Sequence, residues 1–269
     1  MDSPTLSAMA AAVAPTPKPP MPAAPARRGP RTRFLLLAVL TTAGLLWLSY
    51  FPVNCGWLAW FALVPFLALV RSTARPLWVY VSAWLGGLAF YFPALQWMRV
   101  ADPRMYFTWI GLAIYCSIYF PAALRIIRFL DRRTRLPLAL TLPVVWTALE
   151  YFRSWFGTGF SWYLVGHTQH DFLPVIQIAD LAGAYGVSFL VVAVNAVLFE
   201  ALYRWPWFRT TFAGPDAAAP ARPIGLAIQV SAVAAALAAA ISYGEWRLSQ
   251  DAFTPGPRVA LVQGNVPQQ

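Results

Sequence analysis

The sequence predicts an all-α polytopic membrane protein of about seven transmembrane helices, followed by an orphan C-terminal β-strand. Three observations lead there. Hydrophobic residues make up 59% of the 269 positions and charged residues only 11%, against roughly 25% charged in an average soluble domain. A water-soluble fold of this length has too little polar material to cover its exterior. Seven apolar stretches then follow one another, most near the ~20 residues needed to cross the hydrocarbon core. Finally, basic residues cluster between them on alternate sides.

The first 33 residues are rich in Ala and Pro and nearly free of large apolar side chains. They read as a disordered basic cytoplasmic arm, ending in Arg27, Arg28, Arg31 and Arg33. A cleaved signal peptide is the rival reading. No small-x-small cleavage site follows cleanly, and LSYFPVNC (Leu48 to Cys55) is a poor lipobox, so a retained first helix is expected.

The membrane domain is expected over residues 34–250. Its apolar stretches are Phe34–Tyr50, Phe51–Val70, Leu77–Met98, Tyr106–Ile127, Leu136–Phe156, Val175–Tyr203 and Ile224–Trp246. The second is the least regular. Pro52, Asn54 and Gly56 sit at its start, so its helical part is expected to be short or re-entrant.

With a cytoplasmic N-terminus and all seven stretches crossing, the cytoplasmic side receives Lys18, Arg27, Arg28, Arg31, Arg33, Arg71, Arg75, Arg125, Arg128, Arg132, Arg133, Arg135, Arg204, Arg209 and Arg222. The far side receives Arg99, Arg104, Arg153, Arg247 and Arg258, completing the 20 Lys plus Arg. This asymmetry predicts a cytoplasmic N-terminus and an extracytoplasmic C-terminus. It also accounts for the net charge of +10. The basic residues form no stripe or groove motif for nucleic acid, which is not an expected partner.

Residues 251–269 read as a linker and then a strand. Phe253 to Pro257 (FTPGP) is a loop, and Arg258 to Gly264 (RVALVQG) has the apolar run of a buried strand. One strand without partners is what the opening of a second, truncated domain looks like.

Several side chains carry chemistry. Glu150 and Arg153 end the fifth stretch at i, i+3 on one helical face. They suit either an interfacial ion pair that fixes helix depth or a headgroup contact. The segment Gly157 to Gln169 (GTGFSWYLVGHTQ) is aromatic, Gly-rich and non-periodic. It is expected at the outer interface, as an aromatic belt or as a lipid-acyl pocket. Phe160 and Trp162 offer rigid apolar walls there, and the Gln169 amide can bond an ester or phosphate oxygen. His167 and His170 lack the cysteines or carboxylates that would complete a metal ligand set. Asp180, before Gly183 and Gly186, is an intramembrane carboxylate that the helix N-terminus also explains. Cys55 and Cys116 form no CxxC pair, and Cys116 lies inside an apolar run. No metal or other cofactor is expected.

Four ordered stretches resemble the N-terminal part of the bacterial apolipoprotein N-acyltransferases. They are Phe51 to Pro65 (FPVNCGWLAWFALVP); Pro143 to Trp146 (PVVW) with Glu150, Arg153, Thr158 to Trp162 (TGFSW) and Gly166 to Gln169 (GHTQ); Ile176 to Phe189 (IQIADLAGAYGVSF) with Asn195; and Val259 to Gln268 (VALVQGNVPQ). Ser161 stands where the family usually has Pro, and His167 where it usually has Tyr.

The resemblance implies a bacterial inner-membrane, multi-pass protein whose partners are a phospholipid acyl donor, a diacylglyceryl-modified apolipoprotein and membrane lipid. Phe160, Trp162, Gln169, Glu150 and Arg153 are the expected substrate-binding residues, and the resemblance adds weight to that, because the family's acyl donor must reach an active site above this face. The family's chemistry uses a Glu-Lys-Cys triad on a nitrilase-like domain. The thiolate attacks a phospholipid acyl ester, and the thioester passes its acyl group to the α-amine of the lipidated cysteine. The lone lysine here is Lys18, and neither cysteine matches the nucleophile, so no catalytic residue is assigned. The expectation is a membrane domain inactive alone, whether fragment, split gene product or interrupted frame. A stand-alone transporter or a scaffold partner is the alternative, although no internal repeat of the transporter kind is visible.

Overall fold

The computed structural model describes residues 30, 32–101, 104–157, 159–220, 223–250 and 256–261. Most of the expected N-terminal arm therefore lies outside the described residues. Five helices are long and apolar enough to cross a membrane. They are α1 (Thr32–Ser49), α4 (Pro76–Ala94), the nearly continuous α6 (Met105–Ser117) and α7 (Tyr119–Arg133), α10 (Ala179–Tyr203) and α12 (Pro223–Leu248). Between them lie the short α2 (Ala59–Ala62), α3 (Val64–Leu67), α5 (Met98–Ala101), α9 (Leu173–Ile176) and α11 (Pro206–Phe208), and the 16-residue α8 (Leu138–Arg153).

Of the seven transmembrane helices expected, two stretches do not appear as long helices among the described residues. The fifth stretch shortens at both ends. Pro137 is extended and starts α8, and the chain leaves the helix after Arg153 toward Gly157 and Gly159, both at positive φ. At 1.5 Å per residue, α8 is about 24 Å long.

The second stretch breaks into a 3₁₀ turn (Gly56–Leu58), α2 and α3. It is nonetheless among the most buried parts of the molecule: Ala59, Ala62, Leu63 and Phe66 to Val70 are all at 0% exposure. A buried break needs replacement hydrogen bonds, because no water reaches the freed backbone groups. Asn195 of α10 supplies them. Its Oδ1 accepts from Leu63 N at 2.8 Å, and its Nδ2 donates to Ala59 O at 2.8 Å. The amide thus stands inside the bond that Leu63 would make to Ala59 in a continuous helix. Thr42 Oγ1 of α1 accepts from Phe66 N at 3.1 Å in the same manner.

The broken segment joins the two ends of the bundle. At one end Gly56 O accepts from the Gln169 amide at 2.8 Å. At the other, Arg71 forms a partly buried triad with Asp131 of α7 (2.9 Å) and the buried Glu200 of α10 (2.6 Å), its guanidinium 4.9 Å above the Tyr203 ring. Around this segment pack α1, α4, α7, α8 and α10, with Phe66, Phe120 and Trp146 in edge-to-face contact at the centre. Exposed Leu37, Leu40, Phe107, Ile110, Ile114 and Ile118 face outward, as lipid-facing positions do.

The expected strand is not formed over residues 256–261; Val259 and Leu261 are 75% and 95% exposed, and no strand pairs with them among the described residues. The rest of the RVALVQG segment lies outside the described residues.

Candidate functional site

The aromatic loop after α8 folds over one end of the bundle, and a buried polar cluster lies directly beneath it. Arg153 and Glu150 set this cluster. Both are buried, at 2% and 6% exposure. They do not form the expected interfacial ion pair: no contact within 4.0 Å joins them. Each is instead turned to different partners.

Arg153 donates through Nη1 to the Tyr91 hydroxyl of α4, and through Nη2 to Tyr163 O in the loop at 3.3 Å. Its guanidinium also lies 5.6 Å from the Tyr91 ring, 6.0 Å from Tyr119 and 5.9 Å from Phe160. The loop is pinned further. The Tyr163 hydroxyl donates to Ala94 O, and the Tyr50 hydroxyl to Leu164 O at 2.9 Å. Tyr163 sits at φ 58°, in the left-handed region. A bulky residue adopts that conformation only where its surroundings hold it.

Glu150 Oε1 accepts from Val165 N at 2.8 Å and from Trp146 Nε1 at 3.1 Å. Its other oxygen, Oε2, is buried without a hydrogen-bond partner among the described residues. A narrow cavity of about 30 Å³ lies here, lined by Leu46, Tyr50, Tyr91, Trp146, Glu150 and Arg153, among others. Its walls are mostly aromatic. Glu150 and Arg153 supply one unused acceptor and one fixed positive charge. A second, open groove of about 370 Å³ runs along the loop's outer face, lined by Tyr50, Phe51, Trp162, Tyr163 and His167.

The sequence-expected residues divide between these places. Trp162 is 52% exposed and stacks on Trp97 at 4.7 Å, forming a wall of the groove. Phe160 is half-buried over Arg153 and tilted against Trp162. Gln169 lines neither space. It is buried, its Nε2 donates to Gly56 O and Thr168 Oγ1, and its Oε1 accepts from Trp60 Nε1 at 2.8 Å. All its bonding capacity toward this side is spent on tying the loop to the broken segment. The fit is close: a Cβ on Gly56 would lie 1.9 Å from Thr168 O.

His170 sits beside Asp171 on the surface, Nε2 to Oδ2 3.4 Å. Asp180 clips α10 to α12, accepting from Tyr243 Oη at 2.8 Å and Arg247 Nε at 3.1 Å. Cys116 is buried and Cys55 half-buried, and neither is in a disulfide. Tyr91 escaped the sequence reading, because a single aromatic inside an apolar run carries no periodic mark, and Trp60 and Tyr163, though inside the quoted segments, were not singled out.

Residues 42–197 match the family model described as the apolipoprotein N-acyltransferase N-terminal domain. The chain belongs to this family. It is 36% identical to the apolipoprotein N-acyltransferase of Rhodopirellula baltica over 87% of its own length and 41% of the relative's. It is 32% identical to that of Geobacter metallireducens over 88% of its length and 44% of the relative's. The chain thus spans less than half the length of these apolipoprotein N-acyltransferases. The matched range contains the broken segment, the Glu150–Arg153 cluster, the aromatic loop and Asn195.

Proposed function

We propose that this chain is the lipid-binding membrane portion of a phospholipid-dependent apolipoprotein N-acyltransferase. The supporting observation is the placement of the aromatic loop. Arg153 and Tyr163 hold it rigidly over a polar-floored aromatic cavity, and Trp162 walls an open groove beside it. Such a surface suits an acyl chain against Trp162 and Phe160 and a polar glycerol or ester group near the loop backbone. Glu150 and Arg153 act here by positioning the loop, with the free Glu150 oxygen available to a donor group in the cavity. Gln169 takes a positioning role.

The acyl-transfer step itself is assigned to a nucleophile outside these 269 residues. Cys116 is sealed in the core, and Lys18 is the lone lysine. The diacylglyceryl apolipoprotein would be received at the same face. We assign the protein to the bacterial inner membrane with the aromatic loop extracytoplasmic and the Arg71 end cytoplasmic. This reading counts seven passes, with α8 and the broken segment included, and so sets the two termini on opposite sides, in keeping with the charge asymmetry.

Photolabelling tests the groove. A phosphatidylethanolamine with a diazirine on its acyl chain should label the loop and the adjoining end of α1 in the purified chain. Trp162→Ala should lower that labelling about fivefold at equal amounts of folded protein, the scale of one lost aromatic contact. Labelling that falls only in proportion to folded protein would leave the loop as an interfacial anchor and end the pocket reading.

A further inference from the structure

The opposite end of the bundle carries a feature that the acyl-transfer reading does not use. Arg125, Arg128 and Arg132 recur on α7 at i, i+3 and i+7 and so share one helical face. With Arg133, Tyr80, Ile126 and Phe129 they line an open groove of about 390 Å³. Arg125, Arg132 and Arg133 are exposed, and none of the four arginines is in an ion pair among the described residues. Of the nearby carboxylates, Asp131 and Glu200 both close on Arg71, and Asp216 borders Arg128 and Arg132 on the side away from Phe129. Arg128 is held in place by Leu69 O and Ser72 O. Its charge is therefore fixed at the base of the groove, while Arg125 and Arg132 remain free to turn toward a ligand.

Apolar side chains share the same surface. Phe129 is 59% exposed and Ile126 40% exposed. The groove lies at the end of the 29-residue span Met105–Arg133. A ligand must therefore carry negative charge at the membrane boundary and apolar bulk just inside it. Guanidinium groups suit phosphate oxygens by bidentate bonding, and their stems lie along apolar surface.

We propose that this groove binds the phosphate of an anionic glycerophospholipid, with Arg125 and Arg132 as its ligands and Ile126 and Phe129 against its acyl chains. The site is separate from the aromatic loop and holds a resident lipid in the leaflet opposite the acyl donor. Free phosphate esters lack the acyl part that the apolar rim needs, and a soluble anion gains nothing from Phe129.

Native mass spectrometry of the 269-residue chain, with equal phosphatidylglycerol and phosphatidylcholine, tests it. Phosphatidylglycerol should be retained in preference. Arg125→Gln/Arg132→Gln should lower that preference about fivefold per arginine, roughly 25-fold together. Arg99→Gln/Arg258→Gln removes equal charge from exposed positions elsewhere and should leave it unchanged. The proposal is overturned if the wild-type chain shows no preference, or if the two double variants lose it equally. It is also overturned if sn-glycerol 3-phosphate displaces the lipid at matched concentration, which would reassign the groove to soluble phosphate esters.

Discussion

Replacing Asn195 with leucine removes the amide that completes the broken second segment. Asn195 is at 0% exposure. Its side chain makes three bonds, to Leu63 N, Ala59 O and Val191 O, at 2.8, 2.8 and 2.9 Å. The third is supplementary, because Val191 O is already inside a regular helix. The first two leave Leu63 N–H and Ala59 O without partners in a region water does not reach. Each orphaned buried group costs about 1–3 kcal/mol. Side-chain hydrogen bonds in membrane proteins average nearer ~0.6 kcal/mol, because competing partners are found on unfolding. Weighing the two, Asn195→Leu should cost about 2–4 kcal/mol. Unfolding by SDS in mixed micelles, followed by the fluorescence of the 13 tryptophans, measures it. Ser82→Ala is the control: Ser82 Oγ is buried and unpartnered, so its removal should be neutral or mildly stabilising. A cost below about 0.5 kcal/mol for Asn195→Leu would mean that Leu63 bonds Ala59 directly once the amide is gone. The break would then be a local accommodation to Asn195, and the idea that Asn195 holds an intrinsically broken segment would be refuted.

Three further outcomes follow from the same geometry. Arg71→Met strands two carboxylates, of which Glu200 is 2% exposed; it should cost about 3–5 kcal/mol in the same unfolding assay, and Arg71→Met/Glu200→Leu should recover part of that. Gly56→Ala and Gly166→Ala place a Cβ 1.9 Å and 2.4 Å from the backbone oxygens of Thr168 and Ala184. Each should lower the SDS midpoint by the equivalent of about 1–3 kcal/mol, whereas Gly44→Ala, with nothing within 4 Å, should not. The purified 269-residue chain should not N-acylate a diacylglyceryl peptide; turnover above a no-protein control that Cys55→Ala or Cys116→Ala abolishes would reverse that assignment.

The long helices were legible in composition and length alone, because a run such as Val175–Tyr203 has no other way to satisfy its backbone in lipid. What escaped depended on partners far apart in sequence. Pro52, Asn54 and Gly56 announced an irregular second stretch. Nothing local announced that Asn195, more than a hundred residues away, would bond across it. Glu150 and Arg153 are neighbours on a helix, and spacing alone invites an ion pair. Tyr91, Tyr163 and Val165 compete for them and win. Gln169 was recognised as a hydrogen-bonding group, yet its partners, Gly56 and Trp60, are set by the packing of the loop on the broken segment. The Arg71 triad had a readable sign. A glutamate inside an apolar run, as at Glu200, needs a buried cation, and the nearby arginines had been explained by topology alone.

Helix α12 differs from the other long helices in how little of it the protein covers: 11% of its apolar window is buried, against 39–50% for the other four. Its attachments are few. Gln229 accepts from Ala139 N at 3.3 Å near one end. At the other, Gly244 lies against Pro174 O, and Tyr243 and Arg247 close on Asp180. At 26 residues it is about 39 Å long, more than the ~30 Å hydrocarbon thickness. A helix longer than the hydrocarbon thickness accommodates the difference by tilting, and α12 has little protein packed along it to resist that tilt.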